Sequence, residues 1–272
     1  MDTPPITTVA PIDPASFRPS ATRPLRAKAR HLAASTRIEP HAHPWAQVAY
    51  SMTGVLRVTA GRSTFIVPPS RAVWIPPDVV HVVTVVEDAD IRTLYLHQSR
   101  TRLGPGPGRD AAWAECRVLD VSPLLRELVL HLPTEPGTGR PGARERHLCA
   151  LILDELAAAP ALRLGVDLPQ DKRLRALCEA VLDDPARQAT LEEWSRSVGA
   201  SPRTAARLFR AELGTTFGQW RQQVLLAKAL SMAARRASMA RIASELGYAS
   251  PSAFSAMVRR SVGLAPSRLF AR

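Results

Sequence analysis

Three side chains in the first third of the chain combine metal-ligand and hydrogen-bonding chemistry at close spacing, and a fourth follows further along. In "HAHPWAQVAYSMTG" His41 and His43 stand one residue apart, Gln47 follows four positions later and Gly54 closes the stretch, while "PPDVVH" supplies His81. Imidazole nitrogens suit zinc, nickel, copper or iron(II), and a neutral amide is a weaker ligand than a carboxylate in the same place. His41, His43 and Gln47 therefore look like the first half of a site for a divalent metal ion. With His81 they are equally a candidate lining for a polar pocket that takes a small-molecule effector, the rings being satisfied by ligand or water. Trp45 and Trp74 are candidate pocket walls or core aromatics. The stretch offers no paired carboxylates and no nucleophile beside a base, so no catalytic residue is assigned and the chain is expected not to be an enzyme.

A second chemistry lies near the other end. "SPRTAARLFRAEL" holds Arg203, Thr204, Arg207 and Arg210, and "SPSAFSAMVRR" holds Ser252, Ser255 and Arg259. Arginine can bond guanine bidentately or grip phosphate. Base and phosphate roles both stay open for Arg203 and Arg207, while Arg210, further along its helix, suits phosphate. The second stretch, with fewer cations, suits backbone contact.

These residues need elements to hold them. Residues 1–24 are proline-rich with little apolar periodicity and read as a flexible lead-in. Residues 25–105 read as short strands, "AQVAYS", "GVLRVTA", "STFIVPP", "AVWIPP", "HVVTVVED" and "IRTLYLH", separated by Gly, Pro or Asp. Such strands build an all-β sandwich or barrel rather than a parallel sheet. Across residues 106–160 the period becomes helical. Leu124, Leu125, Leu128, Val129 and Leu132 share one face, as do Leu148, Leu151, Ile152 and Leu156 with Glu155 as the polar exception, and Pro160 ends the second helix. Residues 161–170 read as a linker and 171–272 as an all-α domain.

That domain repeats itself. "SVGASPRTAARLFRAELG" and "ELGYASPSAFSAMVRRSVG" share a glycine turn, a Ser-Pro helix start and a closing glycine. Serine caps such a helix, and proline at the next position loses no hydrogen bond there. The grammar is helix-turn-helix, with Leu191, Trp194, Val198, Leu208, Met239, Ile242, Leu246, Phe254 and Val258 as core. Between the copies, Phe217 to Ala234 forms a continuous helical pattern of roughly 27 Å, of the order of the ~34 Å between successive major-groove faces.

Composition agrees with this division of labour. A length of 272 residues suits two domains, and an apolar share of 46% with a charged share of 22% is that of an ordinary globular protein. No run approaches a membrane span and the N-terminus has no secretory pattern, so a cytoplasmic protein without a membrane partner is expected. Cys116, Cys149 and Cys178 lack C-x-x-C spacing and read as reduced thiols. From Asp171 onward there are 17 Lys and Arg against 8 Asp and Glu, so nine of the twelve net positive charges lie there. A positive surplus gathered in one domain points to a nucleic-acid partner.

The last hundred residues resemble the DNA-binding domain of the AraC/XylS family of transcription regulators. The resemblance is carried by "SPRTAARLFRAELGTTFGQWR" and by "IASELGYASPSAFSAMVRRSVGLAP", in which Ile242, Ala243, Gly247, Tyr248, Phe254, Gly263 and Pro266 hold signature positions. Tyr248 stands where phenylalanine is common, Ala256 where an arginine is frequent, and Val258 and Val262 where phenylalanines often pack. Ala256 weakens the case for base reading by the second unit. The strand-rich part resembles a cupin barrel (a double-stranded β-helix or jelly roll): His41, His43, Gln47 and Gly54 match its first motif, with Gln47 in place of glutamate. Pro76, Asp78 and His81 match its second, with Asp78 in place of glycine, and this adds His81 to the candidate metal-ion set. "HAHPWAQ" with "VPPSRAVWIPPDVVH" is most similar to the NimR-like subgroup.

The resemblance implies a multidomain protein, an N-terminal all-β cupin barrel with appended helices and a C-terminal all-α domain with two helix-turn-helix units. It implies a sensor that binds a small-molecule effector or a metal ion, requires no cofactor, pairs as a homodimer through the helices of 106–160 and binds double-stranded DNA. As an activator or repressor such a protein meets RNA polymerase. A cupin metalloenzyme fused to a DNA-binding domain is the alternative, and a basic nucleic-acid-modifying protein a second one.

Overall fold

A computed structural model describes residues 6–11, 14–61, 63–69, 71–98, 103, 111–137, 139–162, 165–187, 189–263 and 265–270 of the chain. Two compact units result: residues 1–61 with 65–163, rich in strands, and residues 164–271 with 62–64, rich in helices.

The first unit contains β1 (Thr7–Val9), β2 (Leu25–Leu32), β3 (Thr36–His41), β4 (Ala46–Ala60), β5 (Ser63–Val67), β6 (Arg71–Ile75), β7 (His81–Leu96), β8 (Arg117–Asp120) and β9 (Ala161–Leu162). Strand order is β1-β3-β7-β4-β6-β8-β9, with β2 paired to β7 and β5 to β4. The long strands β4 and β7 are antiparallel neighbours and form the spine. Because side chains alternate along a strand, register decides which face each residue joins. Ala46, Val48, Tyr50, Trp74, Leu94 and Leu96 face the helices α1 (Pro123–Leu130) and α2 (Ala143–Ala158), where Leu125, Val129, Cys149, Ile152 and Leu156 complete one core. The intervening Gln47 and Ala49 face the other way.

Several strands depart from the sequence expectation. "AQVAYS" and "GVLRVTA" are one strand, β4, and "HVVTVVED" and "IRTLYLH" are one strand, β7. Register shifts between Ser51 and Leu56 let β4 bend without ending. Gly54 sits in that bend at φ 70°, where an added Cβ would meet the backbone oxygen of Glu87 at 2.7 Å. A glycine that reads as a break is thus a bulge residue. The described part of the lead-in holds β1, which pairs in parallel with β3, and a 3-10 turn over Pro14–Phe17 that buries Phe17. The stretch expected as linker holds β9 and β10 (Gly165–Asp167). On α1 and α2 the expected apolar faces are corrected at Leu124 and Leu151, which are exposed, while Cys149 is core. A period read from sequence leaves the centre of the buried stripe uncertain by about one residue.

The second unit comprises α3 (Lys172–Asp183), α4 (Leu191–Ser197), α5 (Pro202–Leu213), α6 (Phe217–Ala234), α7 (Met239–Glu245), α8 (Pro251–Val262) and α9 (Pro266–Leu269). α4 with α5 and α7 with α8 form two similar pairs. Ser201 Oγ accepts the Thr204 amide and Ser250 Oγ the Ala253 amide, each opening the second helix of its pair. Gly214 and Gly263 close those helices at φ 61° and 71°, a left-handed conformation that a Cβ would strain. Ser195 and Ala243 are fully buried where the helices of each pair meet, and small residues permit that approach. α6 buries nearly every residue from Val224 to Met232, as a central helix must. Among the described residues no helix is long and apolar enough to cross a membrane.

Candidate functional site

His41 ends β3, His81 begins β7, and the antiparallel register sets them opposite one another. His43 lies in the connection to β4, and its carbonyl accepts the Asp78 amide at 2.9 Å, which ties the "PPDVVH" turn to the first histidine stretch. Asp78 adopts φ 61°, the left-handed conformation for which glycine is better suited and which aspartate tolerates. Gln47 projects from β4 on the same face as Tyr95 of β7, its register partner. Four segments thus bring His41, His43, Gln47 and His81 together, with ring centroids 4.2 Å apart for His41 and His81 and 5.4 Å for His43 and His81.

Each ring is fixed in the same manner. Nδ1 of His41, His43 and His81 lies 2.8, 2.7 and 2.9 Å from the carbonyls of Glu39, Trp45 and Val79. A carbonyl only accepts, so each Nδ1 donates its proton and the neutral ring keeps its lone pair on Nε2. The ligand atoms of the three rings lie within 4.8 Å of one another. His81 Nε2 is buried with no hydrogen-bond partner among the described residues. Burial lowers the His81 pKa to about 4, against the raising effect of the Val79 bond and assisted by His41 and His43. Burial lowers that of His41 as well.

Gln47 Oε1 stands 2.9 Å from His43 Nε2. With the proton on Nδ1 these are two acceptors face to face. Turning the amide so that its NH2 donates closes the pair, and so does a cation shared by both lone pairs. Trp45 stacks on the His43 ring at 5.3 Å, and Tyr95 meets His43 edge-on at 5.5 Å.

Trp74 does not join this group, which corrects its place as a pocket wall. It pairs with Val48 in register and therefore shares Val48's face, under the helices, where its indole N–H donates to the Trp113 carbonyl at 3.0 Å. A cavity of about 30 Å³ adjoins His41 and Gln47 and is also lined by Arg30, Thr93 and Tyr95, none of which the motif spacing singles out. The available signal was the alternation of β2, "LRAKARHL", whose basic residues recur every second position.

On the second unit Arg203, Arg207 and Arg210 are exposed along α5, at the spacing of one helix face. Thr204 is half-buried, its hydroxyl 2.8 Å from that of Ser201. Ser252 and Arg259 are exposed on α8 and Ser255 is half-buried.

Residues 29–177 match the family described as AraC-like ligand binding domain, and residues 194–272 the one described as helix-turn-helix domain. The HTH-type transcriptional regulator NimR of Escherichia coli (strain K12) is 31% identical over 232 residues, which cover 85% of this chain and 82% of NimR. The HTH-type transcriptional regulator RipA of Corynebacterium glutamicum is 33% identical over 100 residues, 37% of this chain and 30% of RipA. The crystal structure of ToxT from Vibrio cholerae O395 superposes with a TM-score of 0.38 at 11% identity, covering 90% of this chain and 96% of ToxT. With a ligand-binding domain and a helix-turn-helix domain in this order, and with such a relative over most of its length, the chain belongs to the AraC family of transcription regulators.

Proposed function

We propose a one-component regulator in which the strands of the first unit form a cupin-type barrel that binds a small-molecule effector beside His41, His43, Gln47, His81 and Trp45. The second unit grips double-stranded DNA with two helix-turn-helix units, α4–α5 and α7–α8. The observation that carries this reading is the repeated pair: two Ser-Pro-capped helices, one displaying Arg203, Arg207 and Arg210, the other Ser252 and Arg259. α5 reads bases through Arg203 and Arg207 while Arg210 and Arg259 hold phosphate, and Thr204 and Ser255, half-buried, serve mainly to fix their helices. An effector that favours one arrangement of the domains shifts DNA engagement by its differential affinity. The exposed Leu124 and Leu151 on α1 and α2 support pairing of two copies there. As activator or repressor, the bound protein acts on RNA polymerase at a promoter.

The donor set also fits a divalent ion: three carbonyl-oriented imidazoles with ligand nitrogens within 4.8 Å of one another, His81 Nε2 without a hydrogen-bond partner among the described residues, and the Gln47 oxygen. His41, His43, His81 and Gln47 would hold it, and it would offer the effector a Lewis-acid contact.

A hydroxyl-radical footprint of the full chain, on a duplex selected from a random-sequence pool, tests the DNA side. Two protected patches on one face, about 10 base pairs apart, are expected. A single patch would remove the tandem mode.

A further inference from the structure

The interior of the first unit carries a charge that the histidine cluster does not explain. Arg26, Lys28 and Arg30 occupy alternate positions of β2, opposite Tyr95, Thr93 and Ile91 of β7, so all three stand on the face away from the helical core. Arg26 donates to the carbonyls of Gly137 and Ser16, and Lys28 lies 4.7 Å above the Phe17 ring. Arg30 differs. It lines the cavity beside His41 and Gln47, and its Nη1 is buried with no hydrogen-bond partner among the described residues.

Among the described residues no aspartate or glutamate lines that cavity. His41 Nδ1 donates to the Glu39 carbonyl, so its Nε2 is left as an acceptor. The guanidinium is thus the formal charge on the lining, accompanied by the hydroxyls of Thr93 and Tyr95 and the amide of Gln47. Arg30 is half-buried, and a guanidinium nitrogen that is buried without a partner, as its Nη1 is, is costly unless the ligand supplies the anion. About 30 Å³ holds roughly two water molecules, the size of a carboxylate head with at most a methyl group.

We infer that the effector is a small monocarboxylate whose oxygens pair with Arg30 Nη1 and take further hydrogen bonds from Thr93, Tyr95 or Gln47. The inference rests on reading the first unit as an effector domain and adds the chemical class of what it takes. Planar, charge-assisted pairing is the geometry a guanidinium reads best, which separates a carboxylate from a neutral amide of the same shape.

Thermal unfolding of the full chain at pH 7.5 and fixed ionic strength tests it with sodium formate and sodium acetate as probes, against acetamide and sodium chloride at equal concentration. Formate or acetate is expected to raise Tm, acetamide and chloride not. Arg30→Met should fold with an unliganded Tm at or above that of the wild-type chain, since its Nη1 has no hydrogen-bond partner among the described residues to lose, and should need about tenfold or more acetate for the same shift. Arg30→Lys, which keeps the charge, should fall between and replaces the methionine variant if that one does not fold. Equal shifts with acetamide, an acetate shift unchanged in the Arg30 variants, or no shift with either carboxylate overturns the inference. Binding of the same preparations to a selected duplex separates the two levels. Sequence preference that persists without an acetate effect removes only the carboxylate, whereas loss of preference in the wild-type chain removes the regulator reading itself.

Discussion

Arg203→Ala and Arg207→Ala each weaken binding to a selected operator by about 1–3 kcal/mol and relax base preference at the positions they contact. Both side chains are exposed on α5, past a start fixed by Ser201 and Pro202, so truncation should remove the proposed contacts with DNA and leave the helix intact. Arg210→Ala behaves differently. Placed in the last turn of α5, it loses affinity about equally on operator and random duplex and lowers the salt slope by about one. Titrations of the three variants on both duplexes at two salt concentrations distinguish these outcomes. Equal losses on both duplexes for Arg203 and Arg207 would reassign them to phosphate.

Lowering the pH from about 6.5 to 4 removes about 3 kcal/mol of stability from the metal-free chain, mostly through His81. The sign follows from burial. Folded His81 takes a proton only near pH 4, whereas in the unfolded chain it does so near its ordinary 6.5. Protons therefore bind the unfolded state first as pH falls, and the stability present above 6.5 is lost on the way to 4. His41 adds in the same direction, and the groups facing His81 are the rings of His41 and His43. Urea midpoints across this range should show the slope in the wild-type chain and a flatter one in His81→Gln. Zinc added at pH 7 should raise the midpoint of the chelator-treated chain, because neutral imidazoles are the ligating form, and this rise should shrink in His81→Gln. An unchanged slope and an unchanged zinc effect in that variant would place the titrating and ligating groups elsewhere.

Residue types and local spacing were enough to read part of the site. His41, His43 and Gln47 follow strand and turn spacing within a few residues, and His81 follows a proline turn, so their convergence is a local matter joined by one register. The 18-residue span of α6 was legible as a continuous helical pattern from Phe217 to Ala234, and the structure adds Thr216 as the cap at its start. Trp74 was not, since the face a strand residue takes depends on its partner: pairing with Val48 sends it to the helical core, and one residue of slip would have sent it inward.

Arg30 escaped for a different reason. The alternation in "LRAKARHL" is apolar against basic, which reads as a half-exposed strand with solvated cations. Only the pairing of β2 with β7 turns those cations toward the inner face. β8 and β9 are too short to announce themselves, and they form because β6 leaves an edge for β8 and β8 one for β9. Leu124 and Leu151 carry apolar periodicity yet face outward, so a stripe on one helix marks its own core face only to within a residue.

The ratio of the full chain's affinities for a selected duplex and for bulk competitor DNA, at physiological salt, tests most directly whether the second unit reads sequence. Recognition by α5 and α8 predicts a ratio of at least about 10³. A ratio near one would show a basic protein holding phosphate alone, and would contradict sequence-specific regulation by this chain.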